Sequence, residues 1–459
     1  MIPTEDTSPP RGRRCTALGL TAVALVSLLP LLIESPPVDF LPPRGPLDGW
    51  VGRPLAAALL LAAVGWRWLI DREAGETNTP LTLTFLAAAG AMTACHWLMV
   101  DQQPLPADWQ PKAYLQVLNH TGDPPHQYRP LPYGFVRSLE WLTRDWLFSC
   151  LAYRCFFNYW LLWAWHRFAC LFHAPRRAAL TLLPFVALYP CSIAFYLGQL
   201  TDPLSHTLFV LGLIYIIEDR PLALAAALAL GVLAKETAAL LVPCWFVCHA
   251  WSGLSTTMPP GAAKVAALWS GGGLAGRGRG RHKRLKPSGL APRDVSATRD
   301  GLGRTRMNDP AIGTVLVQSP WSAWRNWAAT VFLGAVAMAA VLAVRLPFGW
   351  RPGAEEMNGA GLMVGTNLGI GRPSAFTEVP LYQCYVQPLL FVAPFVPLIA
   401  WNWRATDVRL RRMAVTLTPL VLVCNLCFGW LYESRNYVPL LPLLTTMALP
   451  ARKEVSPPA

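Results

Sequence analysis

The sequence predicts an all-α fold: a polytopic transmembrane helical bundle of about twelve membrane segments, with one sizeable extracytoplasmic loop carrying amphipathic helices. Three observations predict it. The chain of 459 residues is 53% hydrophobic and only 14% charged, against about 25% charged in a soluble domain. Its apolar residues fall in runs that approach the ~20 residues needed to cross a bilayer. Its 20 Trp and 43 Pro suit helices with aromatic interface belts and kinks.

The first run, Cys15–Ile33, is long enough to span, and Pro-rich sequence follows it rather than a small-residue cleavage site. Further spans are read at 54–70, 81–100, 146–172, 179–197, 203–217, 222–234, 237–250, 327–345, 383–401, 413–431 and 436–449. The pair 222–234 and 237–250 is either one long helix with Lys235-Glu236 in its middle or a hairpin with those residues at its tip. Charge placement separates the two readings. Arg11, Arg13 and Arg14 put the N-terminus in the cytoplasm. Counting crossings from there, the short loop 402–412, with Arg404, Arg409, Arg411 and Arg412, is cytoplasmic only if 222–250 is a hairpin. Lys and Arg in short loops favour the cytoplasm, so the hairpin is preferred.

The resulting organisation is a cytoplasmic N-terminus at 1–14, transmembrane helices over 15–251 with an extracytoplasmic loop at 101–145, a basic cytoplasmic loop at 252–326, transmembrane helices over 327–450 with an extracytoplasmic loop at 346–382, and a cytoplasmic tail at 451–459. Loop 252–326 is rich in Gly, Pro and Arg, lacks apolar periodicity and is expected to be disordered. In loop 101–145, Trp109–Leu118 and Tyr133–Leu142 are expected as amphipathic helices lying on the membrane. The net charge of +13 does not argue for a nucleic-acid partner, because the basic residues cluster in loops beside the spans. The 11 cysteines are scattered and form no disulfide framework. Cys424 and Cys427 lie mid-span and read as small apolar residues. No His, Asp or Cys set has metal-ligand spacing.

The few charges at the ends of apolar runs carry the functional signal. An ionisable group in hydrocarbon costs roughly 2.5–3.5 kcal/mol on insertion scales, so such groups are usually functional. In the predicted topology Asp101, Asp108, Tyr128, Arg129, Asp202, Lys235, Glu236, Glu433 and Arg435 all meet the outer face. A carboxylate there can act as general base on a hydroxyl, and Arg and Lys can hold a phosphate. Each residue also has a plainer reading. Asp202 before Pro203 makes a good helix start, Lys235 and Glu236 suit ion pairs holding a bundle, and Glu433 and Arg435 suit interface anchors. His206, Arg154 and His166 read as structural.

Taken in order, Asp108 with Ala113-Tyr114-Leu115, Gln127-Tyr128-Arg129-Pro130, Leu200-Thr201-Asp202-Pro203, Ala234-Lys235-Glu236-Thr237 and Glu433-Ser434-Arg435-Asn436-Tyr437 resemble a GT-C-type membrane glycosyltransferase. The resemblance covers roughly residues 80–450. It implies a polyprenyl-phosphate sugar as donor, a glycan, lipid or other hydroxyl as acceptor, and inverting transfer at the outer face of a bacterial inner membrane. It implies Asp101 or Asp108 as the catalytic base, with Tyr128, Arg129, Asp202, Lys235, Glu236, Glu433 and Arg435 binding the donor phosphate or substrate. Under this reading Arg and Lys alone can stabilise a monophosphate leaving group, whereas a pyrophosphate would favour a divalent ion, Mg or Mn. The competing expectation is a transporter or flippase of a lipid-linked or anionic solute, using the same charges without chemistry.

Overall fold

The computed structural model describes residues 19–27, 48–73, 79–98, 109–118, 128–194, 200–250, 320–346, 389, 391–428 and 434–450. Among these the chain is helical, with no strand. The N-terminal tail, the bulk of loop 252–326, loop 347–382 and the C-terminal tail lie outside the described residues. The helices are α1 (19–27), α2 (Asp48–Glu73), α3 (Thr79–His96), α4 (Trp109–Leu118), α5 (Pro130–Thr143), α6 (Trp146–Cys170), α7 (Pro175–Leu180), α8 (Leu183–Ala194), α9 (Thr201–Ile217) and α10 (Pro221–Ala234). After a 3-10 turn at Glu236–Leu240 come α11 (Leu241–Trp245) and a π-helical turn at Phe246–Ala250. The last part holds α12 (Pro320–Arg345), α13 (Phe395–Asn402), α14 (Val408–Phe428), two 3-10 turns and α15 (Leu441–Ala448).

Helix α9 is the axis of the bundle, and all of its 17 residues are buried. At ~1.5 Å per residue it is about 25 Å long. Its polar residues sit at its two ends, so neighbouring helices can be oriented by their contacts there. Helix α6 runs parallel to it. The Tyr153 hydroxyl donates to the Leu200 carbonyl (2.6 Å) at the start of α9, and Arg167 pairs with Glu218 (3.7 Å) at its end. A tight turn then sends the chain back into α10. Asp219 takes a left-handed conformation (φ 53°) while the Arg220 amide donates to the Tyr215 carbonyl (3.0 Å), the Schellman closure in which a short polar side chain replaces the usual glycine.

Helix α10 ends at Lys235, whose extended backbone (φ −167°, ψ 131°) breaks the helix, and the chain reverses a second time. The segment 236–250 returns alongside α9 until a His249 ring nitrogen meets the Ile216 carbonyl at 2.8 Å. Two glycines allow this close return. A Cβ at Gly231 would lie 2.7 Å from the Ala238 Cβ, and one at Gly212 would collide with Leu241. Lys235-Glu236 is therefore the tip of a hairpin.

Helix α12 starts beside Asp219, where Arg325 pairs with that carboxylate (3.1 Å), and finishes beside Glu236, where Arg345 lies 3.7 Å from it. Helix α14 starts at the Asp219 end too: Arg409 donates to the Ile217 carbonyl (3.2 Å) and Arg412 to that of Cys248 (3.4 Å). Helix α15 descends to that same end, where Asn402 donates to the Ala448 carbonyl (2.8 Å). The bundle thus has an Asp202 end and an Asp219 end, separated by an apolar middle.

Two helical segments, Trp324–Arg345 and Val408–Cys427, are long and apolar enough to cross a membrane among the described residues. Thr201–Ile217, Pro221–Ala234, Glu236–Ala250 and Val438–Ala448 are apolar but shorter, so the expected count of about twelve is not reached on length alone. Helix α6 is long enough but carries Arg154, Asn158, His166 and Arg167 in its turns. The expectation for Tyr133–Leu142 is corrected in its placement. The helix forms, but every residue from Leu131 to Arg137 is buried, because α5 packs against α2, α6, α9 and α10 rather than lying on a surface. Ridges of apolar side chains face outward elsewhere: Trp324 and Val331 on α12 are 70% and 67% exposed, and Trp401 on α13 is 89% exposed.

Candidate functional site

The Asp202 end gathers ionisable side chains from five separate places in the sequence. Asp202 sits in the first turn of α9, where a negative charge suits the helix dipole. It was expected at or near the helix cap. The N-cap is Leu200, with no side-chain capping bond, and the Asp202 carboxylate is engaged elsewhere. One oxygen accepts from the Lys235 ammonium (3.1 Å) and the other from the Arg435 guanidinium (3.4 Å). Lys235 donates as well to the Asn436 side-chain oxygen at 2.9 Å. All four of these residues are buried.

A second cluster adjoins the first through the Lys235–Glu236 peptide. The Glu236 carboxylate accepts from the Arg129 Nε at 3.0 Å and faces Arg345 at 3.7 Å. The Arg345 guanidinium lies over the Tyr128 ring, 4.8 Å from its centroid, a cation–π arrangement that holds the cation without neutralising it. Arg129 is the N-cap residue of α5 and makes no capping bond, so its side chain is directed to Glu236 instead. Glu236, with a side chain 26% exposed, is the most accessible of the ion-paired residues described in these two clusters.

Tyr133 joins the two clusters. It is buried, and it senses Arg129 from one cluster and both Arg435 and Asp202 from the other. Burial pushes its phenol up to about 12, with Arg129 and Arg435 opposing that shift. Its ring packs on Tyr114 of α4 (centroids 6.4 Å apart). The Tyr114 hydroxyl donates to Glu140 at 2.5 Å, and Arg137 donates to the same carboxylate at 3.0 Å. This network anchors α4 to α5. His206, one turn below Asp202, lies within the field of Asp202, Lys235 and Arg435. His166 instead meets the Pro175 carbonyl at 3.0 Å, far from this cluster, as a structural histidine would.

Of the nine residues singled out from the sequence, Tyr128, Arg129, Asp202, Lys235, Glu236 and Arg435 come together here. Asp101, Asp108 and Glu433 lie outside the described residues. Arg345, Asn436 and Tyr133 were not among the nine, and His206, read as structural, lies beside them. Arg345 had a legible signal, since it is the cation that closes the apolar run 327–345. Asn436 stood next to Arg435 in a motif already singled out.

Among the described residues, four cations, Arg129, Lys235, Arg345 and Arg435, face two carboxylates, Asp202 and Glu236. Guanidinium and ammonium groups gathered in this way suit an anion such as a phosphate. Both carboxylates are turned to cations, so they do not offer the free oxygen pair that Mg or Mn takes. No group of three or more His, Cys, Asp or Glu is arranged to hold a metal among the described residues. No protein-family model, no curated protein and no solved structure matches this chain.

Proposed function

We propose that this chain is a multi-pass protein of a bacterial inner membrane, with about twelve membrane segments, that transfers a sugar from a polyprenyl-phosphate donor to an extracytoplasmic hydroxyl. The observation that carries the reading is the convergence of Arg129, Lys235, Arg345 and Arg435, from distant parts of the chain, on the Asp202 end, where guanidinium and ammonium groups can hold a phosphate. A phosphate entering beside Glu236 would meet Arg129 and Arg345 and draw on the field of Lys235 and Arg435. Asp202 holds Lys235 and Arg435 in place. Charge-assisted bonds to phosphate oxygens stabilise the leaving group as the glycosidic bond breaks. The base that takes the acceptor proton is assigned to Asp101 or Asp108. Asp108 directly precedes α4 in the chain, and α4 is anchored to α5 beside Tyr133.

Membrane insertion is supported by the outward apolar ridges on α12 and α13, which a water-soluble surface rarely presents. Orientation follows from the Asp219 end, where Arg177, Arg220, Arg325, Arg409 and Arg412 gather. Lys and Arg mark the cytoplasmic side, so the Asp202 end faces out.

The test is reconstitution in proteoliposomes with polyprenyl-phosphate sugars and a hydroxyl acceptor. Release of polyprenyl phosphate together with a glycosylated acceptor is expected. Movement of intact donor across the bilayer without bond cleavage would replace the transferase by the flippase reading.

A further inference from the structure

A cavity of about 400 Å³ lies between α1, α2, α6 and α9, within the size range of ligand pockets. Its wall is hydrocarbon and aromatic, including Val23, Phe157, Trp160 and Leu208. Among the described residues of the wall, Arg67 is the one ionisable side chain, and it is 3% exposed. Thr207 brings a hydroxyl to the wall, and it already donates to the Pro203 carbonyl at 2.8 Å. The flank is open at Trp66 and Val26, which are 66% and 39% exposed.

The charge sits at one end. The Arg67 guanidinium lies 4.5 Å from the centre of the Trp163 ring, and Arg167 approaches the same ring at 5.7 Å. Arg220 covers Tyr215 at 5.1 Å, and that phenol lies in the field of Arg67, Arg167, Arg220 and Glu218 together. Arg67, Arg167 and Arg220 thus gather near Tyr215, where Glu218 pairs with Arg167 and Arg220. This end of the cavity is the Asp219 end, the far end of α9 from Asp202.

We infer that this cavity is a binding site for an anionic phospholipid. One acyl chain fills the apolar wall and the phosphate rests at Arg67 and Arg167. A guanidinium stacked on an aromatic face can still direct in-plane N–H donors to a phosphate, and basic pockets between membrane helices on the cytoplasmic side take anionic headgroups. The inference rests on the membrane reading but not on sugar transfer, because its headgroup lies at the opposite end of the bundle from the transfer site.

Native mass spectrometry of the delipidated full-length protein tests it, with phosphatidylglycerol and phosphatidylcholine of matched chains as probes. Both lipids offer the phosphate, but the choline ammonium of phosphatidylcholine is repelled by Arg67, Arg167 and Arg220, so wild type should bind phosphatidylglycerol at least about tenfold more tightly. Arg67→Gln should abolish that preference, and Leu208→Trp, which fills the cavity and keeps the arginine, should abolish binding of both lipids. Arg325→Gln removes an exposed cation at the same end of the bundle and should change nothing. Equal binding of the two lipids by wild type, or binding that survives Leu208→Trp, overturns the proposal even if Arg67→Gln does not fold. Displacement of phosphatidylglycerol by equimolar oleate would overturn the phospholipid assignment in favour of a fatty acid. Sugar transfer is read separately, so its failure leaves these outcomes interpretable.

Discussion

Substituting Asp202 by Ala removes a carboxylate that faces both Lys235 and Arg435. The Asp202 side chain is 12% exposed, that of Lys235 5% and that of Arg435 7%, so water can do little to replace it. Lys235 would retain the 2.9 Å bond to Asn436, a neutral partner that does not balance its charge. Breaking a buried pair by deleting one member typically costs about 3–5 kcal/mol. At about 2 °C per kcal/mol, the low end for large domains, the unfolding midpoint should fall by roughly 6–10 °C.

Lys235→Met should give a smaller loss, because Asp202 keeps Arg435 at 3.4 Å. The double variant should be less damaged than the two single losses added together, by about 1–3 kcal/mol of coupling. Tryptophan fluorescence during thermal unfolding in detergent reads all three variants. Additive effects, or a midpoint for Asp202→Ala within about 1 °C of wild type, would show that the pair does not hold this end of the bundle together.

Four further expectations concern the site, the backbone, the orientation and pH. Asn in place of the true base, Asp101 or Asp108, should abolish turnover while donor binding survives, whereas Arg129→Ala should weaken donor binding about tenfold; equilibrium binding and single-turnover assays separate the two. Gly231→Val should destabilise by about 1–3 kcal/mol through overpacking, since even a Cβ there would lie 2.7 Å from that of Ala238; an unchanged melting curve would refute the close approach. In a cysteine-free background, Leu346→Cys should react with an impermeant thiol reagent in intact cells and Ala405→Cys only after permeabilisation; the reverse pattern would invert the topology. Tyr133 keeps its proton to about pH 12 through burial, above the ~10 of an unfolded tyrosine, so its contribution to stability is complete below pH 10 and is lost as pH rises from 10 to 12, which alkaline melting curves can measure.

The helices were legible because apolar runs and punctuating charges leave a one-dimensional record. The apolar runs at 146–172 and 222–234 fall on helices α6 and α10, and Trp109–Leu118 is helical as read. The placement of α5 was not legible. Its polar residues Arg137 and Glu140 suggest a wet face, yet they pair with each other at 3.0 Å, and Glu140 also accepts from Tyr114, 26 residues away. A pattern of polar residues cannot distinguish groups that meet water from groups that meet one another. That distinction requires the tertiary partner.

The same logic explains what the sequence disclosed about the Asp202 end. Isolated charges bordering apolar runs have few ways to avoid desolvation, and pairing across the bundle is the most effective. Asp202, Lys235 and Arg435 could therefore be grouped before any geometry was seen, although they are separated by 33 and 233 positions. Arg345 escaped because a cation closing a helix is also expected from the helix dipole. It was distinguished only by the ring of Tyr128 beneath it and the carboxylate of Glu236 beside it. Arg345 and Arg129 reach the same carboxylate, Glu236, from the end of α12 and the start of α5, so a phosphate arriving beside Glu236 would meet both guanidinium groups. Arg345→Ala should therefore weaken donor binding as much as Arg129→Ala does. Donor binding that is indifferent to Arg345→Ala would show that no phosphate lies beside Glu236.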